Sequence, residues 1–415
     1  MPSGRALRKA LVADLERRGA IRTVAVRRAF ATVPRERFVP EVADQDGLER
    51  VYADAALVTR TSNRGMPLSS SSQPTIMAHM LEELDLAPGM RVLEIGTGSG
   101  YNAALLSTLV GRKGQVASIE LEPDLAAKAD SALAAGGYPV RVVVGDALDA
   151  VDGLAGRPYD RIIVTASSDH VPKAWRDALV DGGLIELPLR LPGSTEGEQA
   201  VVTLRREGDG LRSVAVVPGA FMNLRRPGEE DARPIGITNV SVNEFVDGKG
   251  RSIASVSGGG LARLRPSARR RLAGVLLTTP RVRRLATPGP PFTSIVAYVG
   301  MAQAPEGVIV RTMRAAEWGS FVAGAGVAAR DGSGLALVVG QPQGRSSRVE
   351  IYGEGPGSEL TQRALGELVR RWRRAGCPSL ADCQFTVTYE GPPKVGPGAN
   401  IAEHDGVFTT LQWPA

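Results

Sequence analysis

The run Glu94-Ile95-Gly96-Thr97-Gly98-Ser99-Gly100 sets three glycines at alternate positions behind a carboxylate. Glycines so placed let backbone approach a ligand closely, and the N-terminus of a following helix offers unpaired N–H groups. Twenty residues beyond Gly100, Glu120 closes the apolar run QVASIE, the position from which a carboxylate binds the two hydroxyls of a ribose. Asp146 closes a third run, PVRVVVGD, where a carboxylate accepts a hydrogen bond from an adenine amino group. With Leu121 beside Glu120, and Gly145 and Ala147 flanking Asp146, these positions predict an adenosine pocket.

Two kinds of ligand share that chemistry. Gly98-Ser99-Gly100-Tyr101-Asn102-Ala103 matches the dinucleotide fingerprint with its permitted terminal Ala. A pyrophosphate would be repelled by Glu94, whereas a positive sulfonium is favoured by a nearby carboxylate. That argument and Asp146 favour S-adenosyl-L-methionine, with S-adenosyl-L-homocysteine as product. A glycine turn with no ligand would leave three matched positions to coincidence.

Such a pocket requires successive strand tips to converge. MRVLEI (90–95), QVASIE (115–120), PVRVVVGD (139–146), YDRIIVTA (159–166) and GLIELPL (183–189) read as buried strands. Helical stretches separate them, from the glycine turn to about Val110, from Pro123, and from Pro172 to Val180. This alternation predicts an α/β fold, a doubly wound, mostly parallel, Rossmann-like sheet of the class I methyltransferase kind. QAVVTLRRE (199–207) and LRSVAVVP (211–218) flank Asp209-Gly210 and predict an antiparallel hairpin at its edge. Ahead of the sheet, Leu7, Leu11, Leu15 and Ile21 recur at helical spacing, and Val26 to Thr32 continues the pattern. Residues 41 to 73 read as mostly irregular. Pro74 then opens a helix running from Thr75 to Asp85, where its missing N–H costs nothing.

A chain of 415 residues exceeds one ordinary core. RRPGEEDARP (225–234) reads as a linker that divides it into 1–228 and 235–415. The second part holds strands at 333–341, 347–355 and 384–390 and a helix with a basic face from Leu360 to Arg374, which predicts a smaller α+β domain. Charges of both signs interrupt the apolar runs of the N-terminus, and no stretch reaches the roughly 18–20 apolar residues of a membrane helix. The expectation is a cytoplasmic protein with no membrane partner. Cys377 and Cys383 fit no zinc or redox spacing, and three histidines do not complete a metal site, so no metal is expected. The net charge of +6 fits a solvated basic surface, or attraction for an acidic peptide, as well as a nucleic-acid footprint.

Residues 5 to about 225 resemble the protein-L-isoaspartate O-methyltransferases. VPRERFVP (33–40) is similar to their VPR-x-x-FVP segment, Tyr52-Ala53-Asp54 to their Tyr-x-Asp element, and Ser72-Gln73-Pro74 to their Ser-Gln-Pro or Ser-Ala-Pro. VLEIGTGSGY (92–101) is similar to their cofactor loop throughout, and SIE (118–120), GDA (145–147) and YDRIIVTA follow in order. The resemblance implies an enzyme that methylates the carboxylate of an aspartyl or isoaspartyl residue in a peptide or protein. It implies Ser72 at the reaction centre and Thr165 beside the cofactor. Around that centre Ser71, Gln73, Ala166 and Ser167 are expected to face substrate, with His170 from a loop that departs from the family. A carboxylate is already ionised at neutral pH, so no general base is needed; alignment and exclusion of water would supply the rate. The ester then closes to a succinimide (aspartimide) when the next backbone nitrogen attacks it. Read without the resemblance, Ser72 is a turn serine before Pro74 and His170 a surface histidine.

The sequence departs from this family in three places. SNRGMPLSS (62–70) and Ser71 stand where Gly-x-Gly-Gln-Thr-Ile is usual. Ser167-Ser168-Asp169-His170-Val171-Pro172 replaces Ala-Ala-Pro-Glu-Ile-Pro. Nearly half the chain is additional. Enzymes resembling this one, with such an extension, tailor ribosomally made peptides, so the expectation is a dedicated, modified, macrocyclic precursor peptide; general isoaspartate repair is the alternative. Nucleic-acid methylation is disfavoured, because Val164-Thr165-Ala166-Ser167 stands where an Asn/Asp-Pro-Pro-aromatic element would be, and no basic stretch is interleaved with aromatics. An adenosine-binding regulatory module that transfers no methyl group is the non-enzymatic reading.

Overall fold

The computed structural model describes residues 2–61, 67–154, 158–194, 198–219, 221–228, 238–244, 251–275, 281–285, 292–301, 307–315, 321–343, 346–396 and 399–414. The side chains of Ser3 and Thr23 accept from Ala6 N and Val26 N, capping α1 (Gly4–Arg17) and α2 (Val24–Thr32). The stretch expected to be irregular holds two short helices, α3 (Pro40–Asp46) and α4 (Leu48–Val51). It also holds an antiparallel hairpin of β1 (Leu57–Thr61) and β2 (Pro67–Ser71). The serine-rich β2 shows no apolar alternation, which is why it escapes the sequence pattern. Helix α5 (Pro74–Glu83) follows with proline in its first turn.

The first half then alternates as expected. Its elements are β3 (Arg91–Ile95), α6 (Tyr101–Val110), β4 (Gln115–Glu120), α7 (Pro123–Gly136), β5 (Val140–Val144), β6 (Tyr159–Val164), α8 (Lys173–Ala178), β7 (Leu179–Arg190), β8 (Gln199–Glu207) and β9 (Gly210–Pro218). Strands β5, β4, β3, β6 and β7 lie side by side and parallel; β8 and β9 add antiparallel. Chain order reverses around β3, so a crevice opens at the C-terminal tips of β3, β4 and β6. One sheet face packs Val92, Ile163 and Leu184 against the helices of the N-terminal section, and the other packs Leu93, Ile162 and Ile185 with Trp175.

A second sheet is wholly antiparallel. It contains β10 (Thr238–Glu244), β11 (Arg251–Gly258), β12 (Arg281–Leu285), β13 (Gly307–Ala315), β14 (Phe321–Ala329), β15 (Leu335–Gln343) and β16 (Ser346–Glu354), in the order β10-β11-β13-β14-β15-β16-β12. Helices α9 (Gly259–Ala262) and α10 (Pro266–Val275) cover one face, with Leu261 and Leu272 on Val310 and Leu337. Helices α11 (Phe292–Gly300) and α12 (Ser358–Arg374) cover the other, with Ile295, Leu368 and Trp372 on Val327 and Val338.

The division at 228/235 is not the one the sheets make. The last strands, β17 (Gln384–Thr388), β18 (Ala399–His404) and β19 (Val407–Gln412), join the first sheet, where β17 pairs with β9 through Thr386↔Arg212 and Val387↔Leu211. The second sheet is therefore an insertion, and the β8–β9 hairpin is not an edge but lies inside a ten-stranded sheet. Phe385, Val387 and Leu411 are fully buried there. Period-two alternation predicts a half-buried strand but not which sheet receives it. Helix α11 ties the two halves together: Ala297, and Met301 just past its end, enter the core of the first sheet, and Tyr298 meets Trp413 edge-on at 5.4 Å.

Candidate active site

The strand tips open into a cavity of about 610 Å³, a size ordinary for a small-molecule site. Gly96, with φ +95°, turns the chain at the end of β3; a Cβ there would meet Thr165 Oγ1 at 2.5 Å. That hydroxyl donates to Gly96 O at 2.7 Å and so fastens β6 to the loop. Thr97 Oγ1 shares a 2.6 Å hydrogen bond with Ser118 Oγ, and Gly98 has φ +53°. Glu120 is 7% exposed; Gly98 N donates to its Oε2 at 2.8 Å and Glu122 N to its Oε1 at 3.2 Å. Both oxygens keep lone pairs for further donors. Gly96, Thr97, Gly98, Ser99, Glu120 and Thr165 all line the cavity, and Leu121, Gly145 and Ala147 complete that end.

Ser69 and Ser70 lie against Gly98, and the wall continues through Ser71, Ser72, Gln73 and Ala166. Asp54 braces this loop onto α5, accepting from Thr75 N at 2.9 Å, Thr75 Oγ1 at 2.7 Å and Gln73 Nε2 at 3.1 Å. Burial pushes the Asp54 carboxyl up, but those hydrogen bonds and Arg18 outweigh it and hold the group below its ordinary value. The Gln73 amide nitrogen is thus engaged with Asp54, while the residue lines the cavity.

A strap, residues 221–225, roofs the cavity. Phe221 N donates to Gln199 Oε1 at 2.8 Å, Ser167 N to Met222 O at 2.7 Å and Leu224 N to Ser167 O at 2.7 Å. Arg225 closes it, reaching Glu122 Oε1 at 3.1 Å and Leu68 O at 3.4 Å. Sequence reading misses this strap because FMNLR (221–225) has no periodicity and abuts the supposed linker. It also misses Asn102 and His79, which line the cavity from α6 and α5. Burial, then Arg22, lowers the pKa of His79 and favours its neutral form.

Five expected site residues sit elsewhere. Glu94 is fully buried and does not line the cavity; its carboxylate accepts from Asn102 Nδ2 at 2.8 Å and from Ser118 Oγ. Burial lifts its pKa to about 7, against the pull of those two hydrogen bonds. It shapes the site through Asn102 and, by way of Ser118, through Thr97. Asp146 turns its Oδ1 to Leu148 N at 2.9 Å, closing a local turn, so its neighbours and not its carboxylate form the wall. Gly100, φ +85°, packs α6 onto α7, where a Cβ would lie 3.2 Å from Ala129. Ser167 serves the strap through its backbone. His170 stacks on His404 of β18, ring centroids 5.9 Å apart, outside the cavity.

Residues 6–223 match the family model described as protein-L-isoaspartate(D-aspartate) O-methyltransferase. The chain belongs to that family. It is 38% identical over 219 residues to the protein-L-isoaspartate O-methyltransferase of Methanothermobacter thermautotrophicus, covering 52% of this chain and 94% of the relative. It is 36% identical over 218 residues to that of Ignicoccus hospitalis, covering 52% and 96%. A solved structure titled protein-L-isoaspartate O-methyltransferase aligns over 92% of this chain and 97% of its own, at 23% identity and a TM-score of 0.49. This methyltransferase is an S-adenosyl-L-methionine-dependent carboxyl O-methyltransferase acting on protein or peptide substrates. Among the described residues, no helix is long and apolar enough to cross a membrane, and no cluster of three or more metal-ligating side chains occurs.

Proposed function

We propose that this methyltransferase esterifies an aspartyl or isoaspartyl carboxylate in one dedicated, ribosomally made and modified peptide, and that the ester closes to a succinimide. One continuous cavity supports the reading: it joins a carboxylate-braced glycine loop to a run of four serines under a strap. Gly96, Thr97, Gly98 and Ser99 bring the loop to the cavity wall, and Glu120 keeps unused lone pairs for ribose hydroxyls. S-adenosyl-L-methionine bound there supplies an electrophilic methyl group. Gly96, Thr97, Gly98, Ser99, Leu121, Gly145, Ala147 and Thr165 would hold it with Glu120. Ser72 would orient the acceptor carboxylate through its hydroxyl, with Ser71 and Ala166 beside it, and the strap would exclude water. No base is assigned, because the acceptor carboxylate enters ionised.

The additional half supports a dedicated substrate. The insertion and the C-terminal strands would select it, and the His404 turn lies against the 167–172 loop that follows β6, beside Thr165 and Ala166. We place the enzyme in the cytoplasm, with a macrocyclic precursor peptide as partner and no nucleic acid. General repair is the second reading, favoured by relatives that bear the repair-type name and match through residue 223. Methylation of a short generic isoaspartyl peptide separates the two. Slow turnover despite normal cofactor binding supports the dedicated substrate; turnover as fast as a repair enzyme's defeats it.

A further inference from the structure

The VPRERFVP segment holds Arg35, a wholly buried arginine that the cofactor and acceptor roles above do not use. Its Nη1 donates to Val51 O at 3.0 Å and Ala53 O at 3.4 Å. Its Nη2 donates to Ala55 O at 3.3 Å, Ser71 O at 3.3 Å, Ser71 Oγ at 3.4 Å and Ser72 O at 2.9 Å. Its Cζ lies 5.8 Å from the centre of the Tyr101 ring, at the first residue of α6, directly after the glycine loop. No carboxylate pairs with it within salt-bridge distance among the described residues. Burial lowers its pKa, yet arginine keeps its charge throughout the working range.

Removing a guanidinium from water without a carboxylate partner is unfavourable, and here carbonyl dipoles are the compensation. Those carbonyls come from two separate stretches, the 51–55 turn and the 71–72 loop. Strand β2 ends at Ser71, where the sheet pairing stops. Beyond it, Ser72 makes no backbone hydrogen bond among the described residues apart from the one from Arg35. The planar fork spans acceptors that an ammonium could not serve together, since lysine is a point charge with three donors.

We propose that Arg35 is the positioning residue that sets Ser72 against the cofactor loop, clamping the acceptor strand end to the 51–55 turn on one side and to the Tyr101 ring on the other. The proposal rests on the reading of Ser72 as the residue that orients the acceptor. It also gives the VPR element a physical role, in which its arginine fixes the distance between the donor and acceptor halves of one cavity.

The test is a double-mutant cycle on the full chain, Arg35→Lys, Ser72→Ala and both together. The readouts are methyl transfer to a short isoaspartyl peptide at saturating cofactor, calorimetric affinity for S-adenosyl-L-homocysteine, and thermal melting. Arg35→Lys is expected to lower kcat by roughly 10–100-fold while product affinity stays within about twofold. The double variant is expected to be no slower than the slower single variant, because both changes remove one arrangement. Wild-type kcat in Arg35→Lys, or a kcat loss matched by an equal loss of affinity, overturns the proposal. Fully additive effects also overturn it while leaving the Ser72 reading intact, whereas unchanged kcat in Ser72→Ala removes that reading itself. If Arg35→Lys does not fold, Ser71→Ala deletes one of its acceptors with little risk to the core. A several-fold lower kcat at saturating peptide then supports the clamp, and an unchanged kcat overturns it.

Discussion

Replacing Glu94 with glutamine isolates the cost of a charge sealed behind the glycine loop. In the wild type, burial raises this carboxyl from the ordinary value of 4.5 to about 7. The folded protein therefore holds the proton more tightly than the unfolded chain does. Stability from this group is full below about pH 4.5, falls as pH climbs toward about 7, and is flat above that. The displacement corresponds to about 3 kcal/mol, of which about 2.5 kcal/mol falls between pH 5 and pH 8. Glutamine has no such titration. Its carbonyl still accepts from Ser118, and its amide donates to Asn102 Oδ1 once that side chain turns over, since Asn102 Oδ1 is a buried acceptor with no partner among the described residues. Guanidinium unfolding of both proteins at pH 5 and pH 8 reads the difference directly. Glu94→Gln should gain about 2.5 kcal/mol on the wild type over that interval. Parallel pH profiles would refute the reasoning and mean that water or a cation reaches the carboxylate.

Glu120→Ala removes the acceptor for Gly98 N and for the proposed ribose contacts, so calorimetric affinity for S-adenosyl-L-homocysteine should fall by roughly 10–100-fold, from one or two charge-assisted hydrogen bonds. Unchanged affinity would place the nucleoside elsewhere. His170→Ala should leave cofactor affinity within about twofold, because the ring packs on His404 and not on the cavity wall; a tenfold loss would put His170 in the site. Trp413→Ala should destabilise the protein by about 3 kcal/mol through the lost contact with Tyr298 and the core beneath it, seen as a lower melting temperature. A melting point within a degree of the wild type would show that the C-terminal strands do not stabilise the catalytic half.

The glycine loop is legible in the sequence because glycine readily adopts the φ of +95° and +53° that the turn at the cavity wall requires. Glu120 is legible as the acid that closes β4 at the cavity wall, and the 199–218 hairpin because Asp209-Gly210 marks a tight turn. Glu94 is legible as a position but not as a contact. In a parallel strand buried on both faces, alternation carries no polarity signal, so a carboxylate pointing at the helix layer looks the same as one pointing at the crevice. The strap and the four-serine wall are hidden for a different reason. They are held by Arg225, Asp54, Gln199 and the backbone of Ser167, partners distant in sequence. The placement of β17 to β19 is hidden in the same way, since a pairing such as Thr386↔Arg212 leaves no local trace.

That late pairing constrains how the enzyme is born. Strand β9 leaves the ribosome while β17, its neighbour in the finished sheet, has yet to be translated. At about 5–20 residues per second the intervening stretch takes roughly 8–33 s to synthesise. Throughout that interval the flank of β9 bears bare amide and carbonyl groups, the kind of edge that recruits foreign strands. The nascent chain therefore passes through a stage with an open sheet edge, and housing the insertion between β9 and β17 prolongs it.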